Sequence, residues 1–336
     1  MTRDELLYYL GSVREGELYG LFKAADIVRR RYCGDEVHLR GIVEFSNYCV
    51  RNCLYCGLRR GNDKLRRYRM GVDEVYEVAK RAAGAGLKTI VLQSGEDPYY
   101  TLSELCEMVE RIKGLDVAVT LSIGERSYQD YRALRLAGAD RYLLKFETSD
   151  ERLYALLKPD SSYANRFKCL EHLSSLGYQV GAGNMVGLPY QSLDSLADDI
   201  LLFEELELDM VGIGPFIPHP DTPLGGFDCG KIVATLKVVA LTRILTRNAH
   251  IPATTAVATV DPEGRRKALC CGANVVMPNV TPPVYASDYR IYPKRARWED
   301  SVTKAKGLVC SLGRSVGRGY GDTLKERGRK EGFTPP

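Results

Sequence analysis

The sequence predicts a parallel (β/α)8 barrel of the TIM type with an N-terminal helical extension, and three observations point there. Eight short apolar runs alternate with helical stretches between residues 38 and 290. The runs are nearly continuously apolar, as strands covered on both faces are. Several helical stretches stop at a glycine just before the next run, at Gly86, Gly138, Gly177 and Gly272. The competing architecture, an open doubly wound sheet, would show two helix layers and fewer strands.

Taken in order, residues 1–37 read as helical, over Glu5–Leu10 and Leu18–Tyr32, and would cover the outside or bottom of a barrel over residues 38–290. The first strand is expected at His38–Phe45 and its helix over Val72–Ala85. The second is Thr89–Gln93, with a helix over Leu102–Lys113; the third is Val117–Ser122, with a helix over Tyr128–Ala137. The fourth, Tyr142–Phe146, precedes helices at Glu151–Leu157 and Ala164–Leu176. The fifth is Gln179–Val186, followed by a helix over Ser192–Leu206. The sixth, Met210–Ile217, leads through a Pro- and Gly-rich connection (Pro218–Gly230) to a helix over Ile232–Leu245. The seventh is expected at Ala253–Val260, with a helix over Glu263–Cys271, and the eighth at Asn274–Met277. Residues 291–336 are expected as a partly irregular extension, poorly packed over the basic, Gly-rich stretch Gly313–Pro336.

At 336 residues and 45% hydrophobic the chain can bury a large core, and its net charge of +4 is too mild to imply a nucleic-acid partner. Acidic residues stand where a signal peptide would be basic, and no run approaches the length of a membrane span. A cytoplasmic protein is expected. Of ten cysteines most stand singly in apolar patterns, as small hydrophobes do in a reducing compartment. Three cluster at ligand spacing.

These are Cys49, Cys53 and Cys56, in the loop after the first strand: Cys49-Val50-Arg51-Asn52-Cys53-Leu54-Tyr55-Cys56. Thiolates are the ligands of iron–sulfur clusters, and a cubane takes four; a loop supplying three leaves one iron open to a small molecule. A structural zinc site is the alternative, but it wants four ligands and no fourth stands nearby. The C-terminal ends of barrel strands are where active sites are built. There the sequence puts Gln93-Ser94-Gly95-Glu96 (second strand), Ser122 and Glu125 (third), Lys145 and Glu147 (fourth), Met185 (fifth) and Ile217 (sixth). Arg166 adds a fork suited to a carboxylate. Ordinary barrel-top packing is the competing explanation at each of these positions.

The cysteine loop, with Tyr55 as the aromatic before its last cysteine, resembles the signature of the radical S-adenosylmethionine (SAM) superfamily. The resemblance implies a [4Fe–4S] cluster on Cys49, Cys53 and Cys56 whose open iron chelates the amino and carboxylate groups of SAM. Reductive cleavage then gives methionine and a 5′-deoxyadenosyl radical. Ser94-Gly95-Glu96 resembles the superfamily's Gly-Gly-Glu motif, with Ser94 in place of the first glycine. Tyr55, Gln93, Ser94, Gly95, Glu96, Ser122, Glu147, Arg166, Met185 and Ile217 are its implied SAM contacts.

Longer runs narrow the resemblance. Glu44–Asn47, Cys53–Arg60, Ile90–Tyr100, Ala139–Leu144, Met210–Pro223 and Ile251–Ala256 are similar to the [FeFe]-hydrogenase maturase (HydE) family over roughly residues 20–295. That likeness implies an organometallic substrate, a cysteine-bound iron carbonyl cyanide unit, with HydG and HydF as partner maturases. It marks Thr120, Lys145, Thr254, Thr255, Met277, Tyr289 and Tyr292 as substrate positions. Lys145 stands where a relative has Arg, so a planar fork is lost. On its own, Thr254-Thr255 reads as β-branched strand filler. Only Cys310 occupies the region where some relatives carry three cysteines for an accessory cluster, so a second cluster is not expected.

Rival members of the superfamily are methylornithine synthase, acting on an amino acid, and biotin synthase, which needs further mid-barrel cysteines. A non-enzymatic iron–sulfur scaffold or electron carrier would explain the cysteines alone. The basic run Arg51, Arg59, Arg60, Lys64, Arg66, Arg67 and Arg69 is expected either as a solvated helix face or as a docking site for a flavodoxin- or ferredoxin-type electron donor.

Overall fold

In the computed structural model, which describes residues 1–296 and 301–325, Thr2 opens helix α1 (Arg3–Gly11) with a capping box. Its hydroxyl accepts from the Glu5 amide, and the Glu5 carboxylate accepts from the Thr2 amide. Helix α2 (Glu15–Cys33) follows, with Leu21 and Ala25 buried. The first barrel strand comes as β1 (Glu36–Leu39) and β2 (Gly41–Ser46) rather than one straight run. The first segment pairs with strands from the end of the chain and the second with the next barrel strand, so one stretch of chain closes the sheet.

The strand–helix rhythm then runs α3 (Val72–Gly84), β3 (Thr89–Ser94), α4 (Leu102–Lys113), β4 (Ala118–Ser122), α5 (Tyr128–Leu136) and β5 (Arg141–Leu143). Helices α6 (Glu151–Leu157) and α7 (Tyr163–Ser175) follow, then β6 (Gln179–Ala182), β7 (Met185–Val186) and α8 (Leu193–Glu205). Thr101 and Ser127 cap α4 and α5 in capping boxes with Glu104 and Asp130, as Thr2 does α1. Strands β8 (Met210–Val211) and β9 (Gly214–Pro215) lead to α9 (Ile232–Thr246), β10 (Pro252–Ala253), α10 (Thr255–Val260), α11 (Gly264–Cys270) and β11 (Val275–Val276). Helices α12 (Pro283–Ala286) and α13 (Ser301–Ser311) and strand β12 (Ser315–Val316) complete the described chain.

Strands β2, β3, β4, β5, β6 and β8 form one parallel sheet in that order. The ring closes through His250: its carbonyl accepts from Val211 N–H at 2.9 Å and its amide donates to Asp209 O at 2.8 Å. Strand β10 pairs with β11 and β11 with β1, all parallel, and Ile42 bridges Asn279. The result is a closed (β/α)8 barrel, with the apolar core continuous through barrel and helices.

Two expectations fail. The seventh strand ends at Ala253, and from Thr254 the chain turns into a helix through Val260. The β-branched run reads as strand, but past the rim it has no ladder to join. Inside the helix the Thr259 hydroxyl donates to Thr255 O at 2.9 Å instead.

The stretch after Gly313 is not loosely packed where it is described. Strand β12 pairs with β1, and residues beyond it lie across the barrel's N-terminal end. There the fully buried Arg141 donates to Tyr320 O at 2.9 Å and to Asp322 at 2.6 Å, and His250 Nε2 meets Asp322 O at 2.8 Å. Its glycines serve close approach: a Cβ at Gly317 would stand 2.4 Å from His38 Nδ1, and one at Gly321 (φ +64°) 2.7 Å from His38 Cγ. Residues 297–300 and 326–336 of the expected extension lie outside the described residues. No helix among the described residues is long and apolar enough to cross a membrane.

Candidate active site

Strand β2 delivers the chain at the barrel's C-terminal rim, where Asn47 anchors the cysteine loop. Its Nδ2 donates to Arg66 O and Asp288 O, both at 2.8 Å, and its Oδ1 accepts from Tyr68 N–H at 2.7 Å. Cys53 is buried and Cys49 and Cys56 are half-buried, all as free thiols. Burial pushes the Cys49 thiol up to about 11, although the backbone amides of Arg51 and Glu96 point at its sulfur and oppose the rise. Burial also raises Cys53 and Cys56, and the neighbouring sulfurs push Cys56 further. Three thiols on one short loop are the soft donor set that an iron–sulfur cluster takes, and its positive charge would offset the burial that disfavours their thiolates.

Around the sulfurs the loop packs closely on its own neighbours, which leaves no space for side chains at two glycines. A Cβ at Gly95 would lie 2.2 Å from Tyr48 O and 2.7 Å from Cys49 Cβ; one at Gly57 would lie 2.0 Å from Arg290 O. Among the described residues no three His, Cys, Asp or Glu side chains are arranged about a single ion. A cubane places each thiolate on a different iron.

The cysteines open onto a cavity of about 370 Å³ inside the barrel mouth. Its near wall holds Tyr55 from the loop, Gln93 to Glu96 after β3, Ser122 ending β4, and Lys145 and Glu147 after β5. Arg166 on α7, Met185 on β7 and Ile217 beyond β9 complete that side. The far wall holds Thr254, Thr255, Met277, Tyr289 and Tyr292. Thr120 is not part of the lining: it sits two residues before Ser122 on β4, a layer deeper, with its buried hydroxyl unpaired. The positions expected for SAM and for substrate therefore share one chamber, Thr120 apart.

Most of the charge in the chamber is paired, while the buried Lys158 lies over the Tyr154 ring. Lys145 Nζ lies 2.9 Å from Glu147 Oε2. Glu147 itself has φ +71°, a left-handed conformation that costs about 1 kcal/mol. It is held there by its amide on Gly183 O and its carbonyl under Met185 N–H, both at 3.0 Å. Arg166, 3% exposed, sits 2.9 Å from Glu125 Oε1, with Tyr154 Oη 3.3 Å from its Nε. Burial works against its charge, but Tyr154, Glu125 and Glu96 outweigh it and raise its pKa.

The sequence reading missed Arg295. Its Nη2 lies 2.5 Å from Glu44 Oε1, its Nη1 donates to Tyr289 O at 2.8 Å, and its guanidinium faces the rings of Tyr289 and Tyr292. The signal was Glu44 itself, a carboxylate inside the apolar run Ile42-Val43-Glu44-Phe45, which cannot be buried without a cation.

The helix expected of the basic run is not there, since residues 59–70 form none, and most of its cations meet partners within the chain. Arg67 donates to the carbonyls of Asn47, Leu58, Arg59 and Asn62. Arg69 pairs with Asp97, Arg66 with Asp288, Lys64 with Asp221 and Arg60 with Asp160. Arg67 staples the cluster loop, while Arg60, Lys64 and Arg66 remain largely exposed. His219, in the Pro- and Gly-rich connection, is buried behind Gly57, its Nδ1 accepting from Asp221 N–H at 3.1 Å.

The chain is similar to several known proteins. The model of the radical SAM superfamily matches residues 43–203. The chain is 51% identical to the [FeFe] hydrogenase maturase subunit HydE of Thermotoga maritima, over 99% of this chain and 95% of that one. It is 30% identical to 3-methylornithine synthase of Methanosarcina acetivorans, over 82% of this chain and 79% of that one. The crystal structure of methylornithine synthase (PylB) superposes with a TM-score of 0.85 at 27% identity, covering 94% of each chain.

Proposed function

The chain belongs to the radical SAM superfamily and, within it, to the family of the [FeFe]-hydrogenase maturase HydE, and from that premise we propose that it helps build the organometallic centre of [FeFe]-hydrogenase. As a radical SAM enzyme it uses a [4Fe–4S] cluster and SAM. The substrate we infer is a small cysteine-bound iron carbonyl cyanide species, supplied by HydG, with the product passing toward HydF. A flavodoxin- or ferredoxin-type protein would deliver the electron, in the cytoplasm. What carries this reading is the near full-length likeness to HydE.

We assign the cluster to Cys49, Cys53 and Cys56. When both groups are bound, the cluster supplies one electron and SAM yields methionine and a 5′-deoxyadenosyl radical. The chain's own part is placement. Arg166 offers a guanidinium to the SAM carboxylate, Gly95 lets backbone carbonyls approach its amino group, and Glu147 offers an acceptor to its ribose hydroxyls.

On the far wall, burial raises the Tyr289 and Tyr292 phenols above their ordinary pKa, so both stay protonated and can donate to an anionic substrate. The Thr254 hydroxyl gives its proton to Ile213 O at 3.2 Å, which leaves its oxygen as an acceptor. Lys145 supplies the cation.

Anaerobic turnover with the HydG product tests the reading. Consumption of the iron species together with SAM is expected. The likeness to methylornithine synthase favours a second reading, an isomerase of an amino acid, and conversion of lysine under the same conditions would establish that one instead.

A further inference from the structure

We propose that Arg51, between two cysteines of the cluster loop, is a positioning residue that keeps Arg166 free to receive the SAM carboxylate; this rests on the assignment of Arg166 given above. Four charges form a closed ring. Arg51 Nε lies 2.6 Å from Glu96 Oε2, and its Nη2 lies 2.9 Å from Glu125 Oε2. Across the ring, Arg166 Nε lies 2.9 Å from Glu125 Oε1, and its Nη2 lies 3.6 Å from Glu96 Oε1, beyond hydrogen-bond reach. Each carboxylate thus gives one oxygen to each arginine. The third arm of Arg51, Nη1, donates to Asp160 O at 2.7 Å, three residues before the helix that carries Arg166.

The sum of charge is what matters. Two carboxylates facing Arg166 alone would leave the site negative and occupy the fork that a substrate carboxylate needs. Arg51 brings the ring to zero and takes up the outer carboxylate oxygens. Glu96 and Glu125 are 13% and 6% exposed, so water screens them little. Arg51 joins the ends of β3 and β4 to the cluster loop, so the loop that holds the iron also sets the charge at the SAM site.

The test uses the full chain, its cluster reconstituted anaerobically, with iron content and the SAM dissociation constant measured side by side. Arg51→Met should weaken SAM binding about tenfold at unchanged iron content, raising KM for SAM with kcat at saturation little altered. Adding Glu125→Gln removes the competing charge and should restore most of that affinity, which a general loosening of the loop would not do. Arg51→Lys, which keeps the charge, should lose less and carries the test if the Met variant fails to load iron.

Unchanged affinity in Arg51→Met, a deeper loss on adding Glu125→Gln, or loss of the cluster from both Arg51 variants would overturn the proposal. Arg166→Gln separates the two levels. If it leaves SAM binding intact, the assignment of Arg166 itself is wrong and the proposal falls with it. If it weakens binding while Arg51→Met does not, only the proposal fails.

Discussion

Glu44 is the residue on which the far wall of the chamber turns. Fully buried on β2, it accepts from Asn279 Nδ2 at 2.9 Å and from Arg295 at 2.5 Å. Arg295 in turn holds the Tyr289 carbonyl and lies over both tyrosine rings. Glu44→Gln leaves Arg295 buried without its counter-charge, and loss of one partner of a buried pair costs about 3 kcal/mol. A urea unfolding midpoint measured against the parent checks this; a change below about 0.5 kcal/mol, the scale of a surface substitution, would show that Arg295 finds water instead. The pair also marks what a sequence can tell. An acid in an apolar strand announces that a cation is needed, but Arg295 is 251 residues away and nothing local names it.

At the scale of elements, the strand–helix alternation was readable because apolar runs and glycine stops are local signals. The seventh strand and the C-terminal stretch were not, because tertiary partners decide them. Thr254–Val260 has strand composition but runs past the rim. Gly317 and Gly321 look like linker glycines, yet they are where the chain presses on His38.

From that contact we predict a pH-dependent seal at the barrel's N-terminal end. Burial, with Arg40 and Arg141 nearby and only Asp322 opposing, pushes the His38 imidazole down to about 4. A histidine whose folded pKa is depressed contributes stability that is fully present above its unfolded value near 6.5 and is lost as pH falls toward 4. Hydrogen exchange of residues 315–323 should therefore quicken between pH 7 and pH 5 more than exchange of β3 does. His38→Gln, which cannot charge, should reduce that dependence and leave the share due to His250, which burial also depresses and which meets Asp322 in the same seal; an unchanged profile would remove His38 from the cause. Gly321→Ala should open the same seal at every pH, at a cost of about 1–3 kcal/mol in stability from overpacking and the left-handed backbone.

Across the whole molecule, closure of the barrel gathers residues from every part of the sequence at one mouth. The cluster loop follows β2, the carboxylates follow β3 and β4, Arg166 rides on α7, and the tyrosines arrive after α12. Spacing alone was enough to single out the three cysteines. Strand-end position picked out most of the chamber's lining but could not rank it, and depth within the barrel separates Thr120 from the rest.

The central claim is that Cys49, Cys53 and Cys56 hold a cluster whose remaining iron is open to SAM. The most direct measurement is electron paramagnetic resonance of the anaerobically reconstituted, dithionite-reduced chain, recorded with and without SAM. The expected result is a [4Fe–4S] signal that shifts when SAM is added and is absent from Cys53→Ala. A signal indifferent to SAM, or a metal content of zinc in place of iron, would contradict it.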